Sequence, residues 1–359
     1  MSKIVLVLPS FAGGGAERVM LRLLNELDAN TFETSIVVLE ESGPLRSDVA
    51  SHISVVSLRQ PRVRSAMVSL WRELRKLSPA IVVTTMGYLN LAVLLVSQFG
   101  LSKTGVVVRE ANDPDATLKA FRWPLLVRML YRTLYPRARA IICPSHAIRE
   151  KLVREFAIST DLMRILRNPV DVLALQRWRM APNPDKKETV FVASGRLTEQ
   201  KGFDRLLEMF VDVREPSRLW ILGDGPLRSE LRGQALALKI DGRVEFLGFQ
   251  DDPWRYYATA DAFVMPSRWE GMPNAALEAL ACGTPVIATP EAGGIGEVGS
   301  MAPEGAVTLA ESGEPFAAAM NAVIQRPNVP PQVSLLPDDF QLSAVCEEFT
   351  RLISSDVTS

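Results

Sequence analysis

Ten short apolar runs recur along the 359-residue chain, each parted from the next by a stretch of helix length. They are Ile4–Leu8, Ser35–Leu39, Ile81–Thr84, Val106–Arg109 and Ala140–Cys143, then Val190–Ala193, Leu219–Leu222, Val244–Leu247, Ala262–Met265 and Val286–Ala288. Strand-like runs that alternate with helix-length stretches in this way imply a parallel sheet covered by helices. The runs fall into two groups of five about Asn168-Pro169-Val170-Asp171 and the polar Pro182-Asn183-Pro184-Asp185-Lys186-Lys187. A chain of this length exceeds what a single core usually supports. The expected fold is α/β, with two doubly wound, Rossmann-like domains facing across a cleft, where open α/β sheets bind ligands beyond their strand ends.

With 47% hydrophobic and 23% charged residues the chain is a folding one rather than a disordered one. Its charge is uneven. Residues 1–170 carry 23 Lys and Arg against 14 Asp and Glu, and residues 171–359 carry 17 against 27. A basic first half suits an anionic surface or a phosphorylated acceptor, and equally an attraction between the two halves. Cys143, Cys282 and Cys346 are far apart and odd in number, as expected of reduced core thiols in a cytosolic protein. Lys3 is followed by a short strand-like run and a glycine loop, unlike a secretory signal, so the chain is expected to start directly with its fold. Leu89–Phe99 contains Asn90, Ser97 and Gln98, is too short to cross a bilayer, and predicts a buried helix.

Four segments carry chemistry. Glu270 and Glu278 lie eight positions apart in Glu270-Gly271-Met272-Pro273-Asn274-Ala275-Ala276-Leu277-Glu278, after the run Ala262–Met265. Pro273 suits a first helical position and Gly283 the position past the end, which predicts a helix from about Pro273 to Cys282. The free N–H groups of Asn274, Ala275 and Ala276 then form an anion site bracketed by two carboxylates. Gly13-Gly14-Gly15-Ala16-Glu17-Arg18 links the first strand to an amphipathic helix and lets a charged ligand approach backbone N–H groups. Arg18 stands where a dinucleotide fingerprint needs its third glycine, so this is neither that motif nor a Walker loop. In Ser194-Gly195-Arg196-Leu197-Thr198-Glu199-Gln200-Lys201-Gly202, Arg196 and Lys201 can converge on one polyanion, one as a planar fork and the other as a point charge. The fourth segment, Thr289-Pro290-Glu291-Ala292-Gly293-Gly294-Ile295-Gly296-Glu297, adds a glycine pair and a following glutamate.

In order and spacing these segments resemble the retaining nucleotide-sugar glycosyltransferases of glycosyltransferase family 4, whose fold is GT-B. The resemblance implies domains at 1–168 plus about 338–359 and at 169–337, with a last helix, about Ser343 to Ser354, crossing back to the first domain. It implies transfer of a hexose-type sugar from a nucleoside diphosphate, UDP ahead of GDP, to a glycan or polyprenyl-linked acceptor in bacterial surface polysaccharide or glycoconjugate assembly. The catalytic residues it implies are Glu270, Arg196 and Lys201. Donor contacts fall to Gly15, Gly195, Gly271, Met272, Pro273, Asn274, Ala275 and Glu278. Glu270 would hold sugar hydroxyls, Glu278 the ribose hydroxyls, and Arg196 with Lys201 the departing diphosphate, with no metal and no cofactor. Having only two histidines, His52 and His146, accords with that; His146 is expected to cap or pack the helix after it.

One departure stands out. Ala111, in Val108-Arg109-Glu110-Ala111-Asn112-Asp113-Pro114, occupies the place where many of that family carry a histidine near the sugar. Glu17, Arg109, Glu110 and Asn112 are therefore the acceptor-side candidates. Lys119 to Arg132 alternates basic and bulky apolar residues at helical spacing, as does Arg62 to Lys76, which suits either an anionic membrane surface or a solvated core helix. The expected location is cytoplasmic, on the inner face of the cell membrane, with no nucleic-acid partner. A nucleotide-sugar 2-epimerase and a non-catalytic sugar-nucleotide-binding protein stay open as alternatives.

Overall fold

The computed structural model describes residues 1–119, 121–179, 187–325 and 333–354. Most of the polar junction at 182–187 and of the loop expected at 327–337 lies outside these residues. The chain divides into two compact units, Met1–Pro169 with Ser343–Ser359, and Val170–Leu342.

The first unit holds a seven-stranded sheet of β1 (Ser2–Leu8), β2 (Phe32–Val38), β3 (Ser54–Ser57), β4 (Ile81–Thr85), β5 (Gly105–Arg109), β6 (Ala140–Cys143) and β7 (Met163–Ile165), in the order β3-β2-β1-β4-β5-β6-β7. Every pair is parallel. Along β1, Val5 and Val7 join the core on one face while Ile4, Leu6 and Leu8 join the core on the other, which is why the run carries no polar alternation. The helix Leu342–Ser354 completes this unit by placing Val345, Phe349 and Ile353 at four-residue spacing in the same core as Ile4 and Leu6.

The second unit holds a six-stranded parallel sheet of β8 (Thr189–Ser194), β9 (Ser217–Leu222), β10 (Val244–Gly248), β11 (Ala262–Met265), β12 (Val286–Ala288) and β13 (Val307–Leu309), in the order β10-β9-β8-β11-β12-β13. Val190 and Val192 pack into one face's core, Phe191 and Ala193 into the other's. Its two ends are stitched together, since the Val170 N–H donates to the Phe340 carbonyl at 2.8 Å and the Leu342 N–H to the Val170 carbonyl at 3.0 Å.

Several expectations need correction. Strands β3, β7 and β13 have no counterpart among the ten runs; all three are short edge strands with exposed positions, so they carry no continuous apolar signal. The single helix expected over Lys119–Arg132 is two, Pro114–Lys119 and Pro124–Leu134, because Pro124 can begin a helix but lacks the N–H to continue one. The helix after His146 is capped by Ser145, whose hydroxyl accepts the Ile148 N–H at 3.3 Å, not by the histidine. Cys143 and Cys282 are buried, but Cys346 is only half-buried. Among the described residues no helix is long and apolar enough to cross a membrane.

Candidate functional site

In the second unit, β8 ends in Ser194-Gly195-Arg196, and a 3-10 turn over Glu199–Lys201 closes on Gly202. Two glycines fit the backbone closely here. A Cβ on Gly195 would lie 3.0–3.3 Å from the carbons of the Lys201 side chain, so the lysine stem runs along that glycine. Gly202 has φ +66°, and a Cβ there would stand 2.1 Å from the Pro266 carbonyl oxygen. The Gly195 and Leu197 N–H groups donate to the Leu222 and Asp224 carbonyls at 3.0 and 2.9 Å. Gly223-Asp224-Gly225-Pro226 thus underlies the Arg196 turn, a support that the sequence reading passed over although Gly-Asp-Gly-Pro after an apolar run is a turn signal.

Lys201 Nζ meets Glu270 Oε1 at 2.5 Å, and the Ser267 hydroxyl donates to the same oxygen at 2.9 Å. The Glu270 side chain is 8% exposed and that of Lys201 23%, so the lysine of the pair is the more open to solvent. Two arginines fix the loop that carries Glu270. Arg205 donates to the Pro266 and Ser267 carbonyls at 2.6 and 2.7 Å and to the Thr289 hydroxyl at 3.1 Å. Arg268 forks onto Asp204 at 2.7 and 2.6 Å, and those hydrogen bonds hold the Asp204 carboxyl below its ordinary pKa. The fourth segment also belongs to this assembly, because the Gly294 N–H donates to the Gly271 carbonyl at 2.9 Å. Arg196 is exposed and its guanidinium has no partner among the described residues.

Glu278 sits in the helix Asn274–Ala281, and the Trp254 indole N–H donates to its Oε2 at 3.0 Å. Trp254 and Arg205 were not legible as site residues, since only folding brings Trp254 to Glu278 and Arg205 to the loop that carries Glu270, and Ser267, close before Glu270, was passed over. Pro273 is the cap before this helix, with φ −82° and ψ 100°, rather than its first residue. Its carbonyl accepts the Ala276 N–H at 3.1 Å, so Ala276 does not belong to the expected anion site; Met272 and Pro273 are buried, and Asn274 and Ala275 are half-buried at the helix start.

In the first unit, Gly15 opens the helix Gly15–Asn25 and Glu17 folds back over Gly14, where a Cβ would stand 2.2 Å from its Oε2. Glu17 is 4% exposed and that oxygen has no hydrogen-bond partner among the described residues; burial raises its pKa, against its own N–H and the charge of Arg109. Arg109 and Glu110 are each 1% exposed, which corrects the expectation that their side chains reach an acceptor. Arg109 donates to Asn168 Oδ1 at 2.6 Å, and burial pulls its guanidinium down to about 10. Glu110 accepts hydrogen bonds from Tyr135, from Asn90 at 3.1 Å and from Tyr131 at 3.4 Å. Of the acceptor-side candidates Glu17, Arg109, Glu110 and Asn112, only Asn112 is exposed.

Burial pushes the Glu110 carboxyl up to about 7, against its three hydrogen bonds and Arg109. The folded protein therefore holds this proton more tightly than the unfolded chain. The stability it contributes is whole below the ordinary carboxyl value of 4.5 and is lost as pH rises through about 7. Glu17 adds in the same direction. Urea unfolding at about pH 5 and pH 7.5 should show the wild type weakening with rising pH and Glu110→Gln weakening less. Identical slopes would remove Glu110 as the source.

Two parallel, doubly wound units, the second with the Lys201–Glu270 pair beyond its strands, are the architecture of a glycosyltransferase of the GT-B class. The comparisons agree. Residues 13–172 match the sequence model of the family described as Glycosyltransferase Family 4, and residues 176–334 match that described as Glycosyl transferases group 1. The chain belongs to these glycosyltransferases. It is 27% identical over 310 residues, 83% of each chain, to the N-acetylgalactosamine-N,N'-diacetylbacillosaminyl-diphospho-undecaprenol 4-alpha-N-acetylgalactosaminyltransferase of Campylobacter jejuni. It is 24% identical over 337 residues, 90% of each chain, to the amylovoran biosynthesis glycosyltransferase AmsD of Erwinia amylovora. Its fold matches Anabaena Alr3699/HepE, solved with UDP and glucose, with a TM-score of 0.78 at 18% identity over 99% of this chain and 100% of that one. The lipopolysaccharide outer core galactosyltransferase WaaB superposes with a TM-score of 0.75 at 19% identity over the same shares.

Proposed function

We propose that this glycosyltransferase moves a hexose-type sugar, with retention and without a metal, from a nucleoside diphosphate, UDP ahead of GDP, to a glycan or polyprenyl-linked acceptor. The single observation that carries this is the contact of Lys201 with Glu270, on the same loop after β8 as an exposed Arg196 whose guanidinium has no partner among the described residues. Cleavage leaves negative charge on the diphosphate and positive charge on the sugar ring, so the site needs fixed cations next to a carboxylate. Lys201 and Arg196 meet the first need. Glu270 meets the second and holds sugar hydroxyls, while Glu278, oriented by Trp254, holds the ribose. The bond from the anomeric carbon to the donor phosphate breaks with its electron pair on phosphate, a bond to the acceptor oxygen forms on the same face, and the acceptor proton passes to the departing phosphate. Relatives support the substrate classes, because one has a diphospho-undecaprenol acceptor in its name and a structural neighbour was solved with UDP and glucose.

The test is transfer from UDP-hexoses to a polyprenyl-diphosphate glycan in excess EDTA. Activity should persist, since the two cations stand where a divalent ion would act. Complete loss that magnesium or manganese restores would overturn metal independence. No turnover of UDP-, GDP- or ADP-sugars at all would overturn the transferase reading of this site.

The same reading places the protein in the cytoplasm, on the inner face of the membrane. Trp123, Leu125, Leu126 and Met129 are 65%, 82%, 49% and 54% exposed, and Arg122 and Arg132 are exposed with them. Arg128, by contrast, is held by Glu155 at 2.7 Å. Each arginine near an anionic surface contributes about 1 kcal/mol, so replacing Arg122 and Arg132 by Glu should lower the affinity for anionic liposomes by more than roughly tenfold at moderate salt. Equal sedimentation of wild type and variant would remove this surface from membrane docking.

A further inference from the structure

A second feature of the first unit has the dimensions of a binding site. A cavity of about 880 Å³ lies among the helices Val63–Leu77, Gly87–Ser97 and Pro124–Leu134, within the range of small-molecule sites. Its wall is apolar over most of its length, formed by Met67, Leu91, Leu95, Phe121, Leu130 and Leu134. A water-filled crevice lined this way is costly, and Leu95 is left 40% exposed.

The other end of the cavity has a different chemistry. Ser10, Glu40 and Ser42 line it just beyond the carboxyl ends of β1 and β2, the position at which α/β sheets take ligands. Arg62 and Arg64 stand there as well, both exposed, and neither guanidinium has a hydrogen-bond or ion-pair partner among the described residues. The ligand that fits is therefore amphiphilic, with hydrocarbon along the helices, an anionic group at the arginines and hydroxyls at Ser10, Glu40 and Ser42. A peptide helix would leave the two arginines without a counter-charge. A phospholipid held only by its headgroup would leave the apolar wall bare.

We infer that this groove holds the first isoprene units of a polyprenyl-phosphate-linked acceptor, with Arg62 and Arg64 on its phosphate and the acceptor glycan directed to the strand ends. The inference rests on the reading of the acceptor as lipid-linked, and adds that the enzyme grips the lipid itself.

The probe is geranylgeranyl phosphate, titrated into the full chain below its aggregation concentration. Saturable binding is expected, weakened at least about tenfold by Ala92→Phe, which fills the groove, and by Arg62→Ala with Arg64→Ala, which changes only exposed side chains. In transfer assays, the wild type should prefer a polyprenyl-linked glycan over the same glycan diphosphate on a methyl group, and Ala92→Phe should erase most of that preference. No saturable binding, or equal binding by the wild type and both variants, would overturn the groove even in an enzyme that transfers sugar normally. Saturable, variant-sensitive binding by a protein that turns over no donor would uphold the groove and remove the transferase reading instead.

Discussion

Lys201→Ala should lower sugar transfer by roughly 10²–10³-fold, because it removes a preorganised cation from developing phosphate charge, an effect typically worth about 2.7–4 kcal/mol. The structure adds a second consequence. Removing the ammonium leaves Glu270, 8% exposed, with the Ser267 hydroxyl as its one remaining hydrogen-bond donor among the described residues. Glu270→Gln in the Lys201→Ala background should then cost much less than in the wild type, since the two act as one unit. Arg196→Ala, on an exposed side chain with no partner to orphan, should reduce turnover with no change in thermal transition. The measurement is a double-mutant cycle on kcat/KM with unfolding curves alongside. Near wild-type turnover in Lys201→Ala, with an intact transition, would dismiss the diphosphate clamp.

Gly293→Val should lose at least about 100-fold in turnover although residue 293 carries no side-chain chemistry. Its φ is +70°, and a Cβ would stand 2.2 Å from the Glu270 carbonyl oxygen and 2.9 Å from that of Gly271. The strained backbone alone costs about 1–3 kcal/mol. The collision must further push the Glu270 segment aside, and a shift of about 1 Å at a reacting centre can cost 10²-fold. Gly305→Val is the matched control, with φ +79° and nothing within 4 Å of the added carbon. It should show the stability loss without the loss of turnover. Equal kinetic damage from both variants would mean that the glycine pair does not set the position of Glu270.

What was legible in the sequence follows from where the signal resides. The central strands could be read because burial on both faces leaves an unbroken apolar run, as in Ile4–Leu8 and Val190–Ala193. The edges β3, β7 and β13 could not, since each is only three or four residues long with exposed positions, whereas the longer edge β10 was read through Val244, Phe246 and Leu247. The motifs that carry Arg196, Lys201, Glu270 and Glu278 were legible as local spacings, and the structure joins Lys201 to Glu270. The groups that orient them were not: Trp254 lies 24 positions from Glu278, and Arg205 lies 61 and 62 positions from the carbonyls it holds. Glu110 shows the opposite error. Its place after a strand invites a surface role, but only the packing of Tyr131, Tyr135 and Asn90 reveals that it points inward.

The helix Leu342–Ser354 has a consequence for how the protein is made. The first unit is written in two pieces, and the second piece supplies Val345, Phe349 and Ile353 to a core begun by Ile4 and Leu6. During synthesis, residues 1–169 must wait with that core open while the uninterrupted Val170–Leu342 segment emerges and can close on itself. The usual order, in which the earlier-translated domain folds first, is thereby reversed for the final step. The core of the first unit closes only when Leu342–Ser354 arrives, so a polypeptide truncated before Val345 would leave the second unit able to fold and the first exposed to quality control.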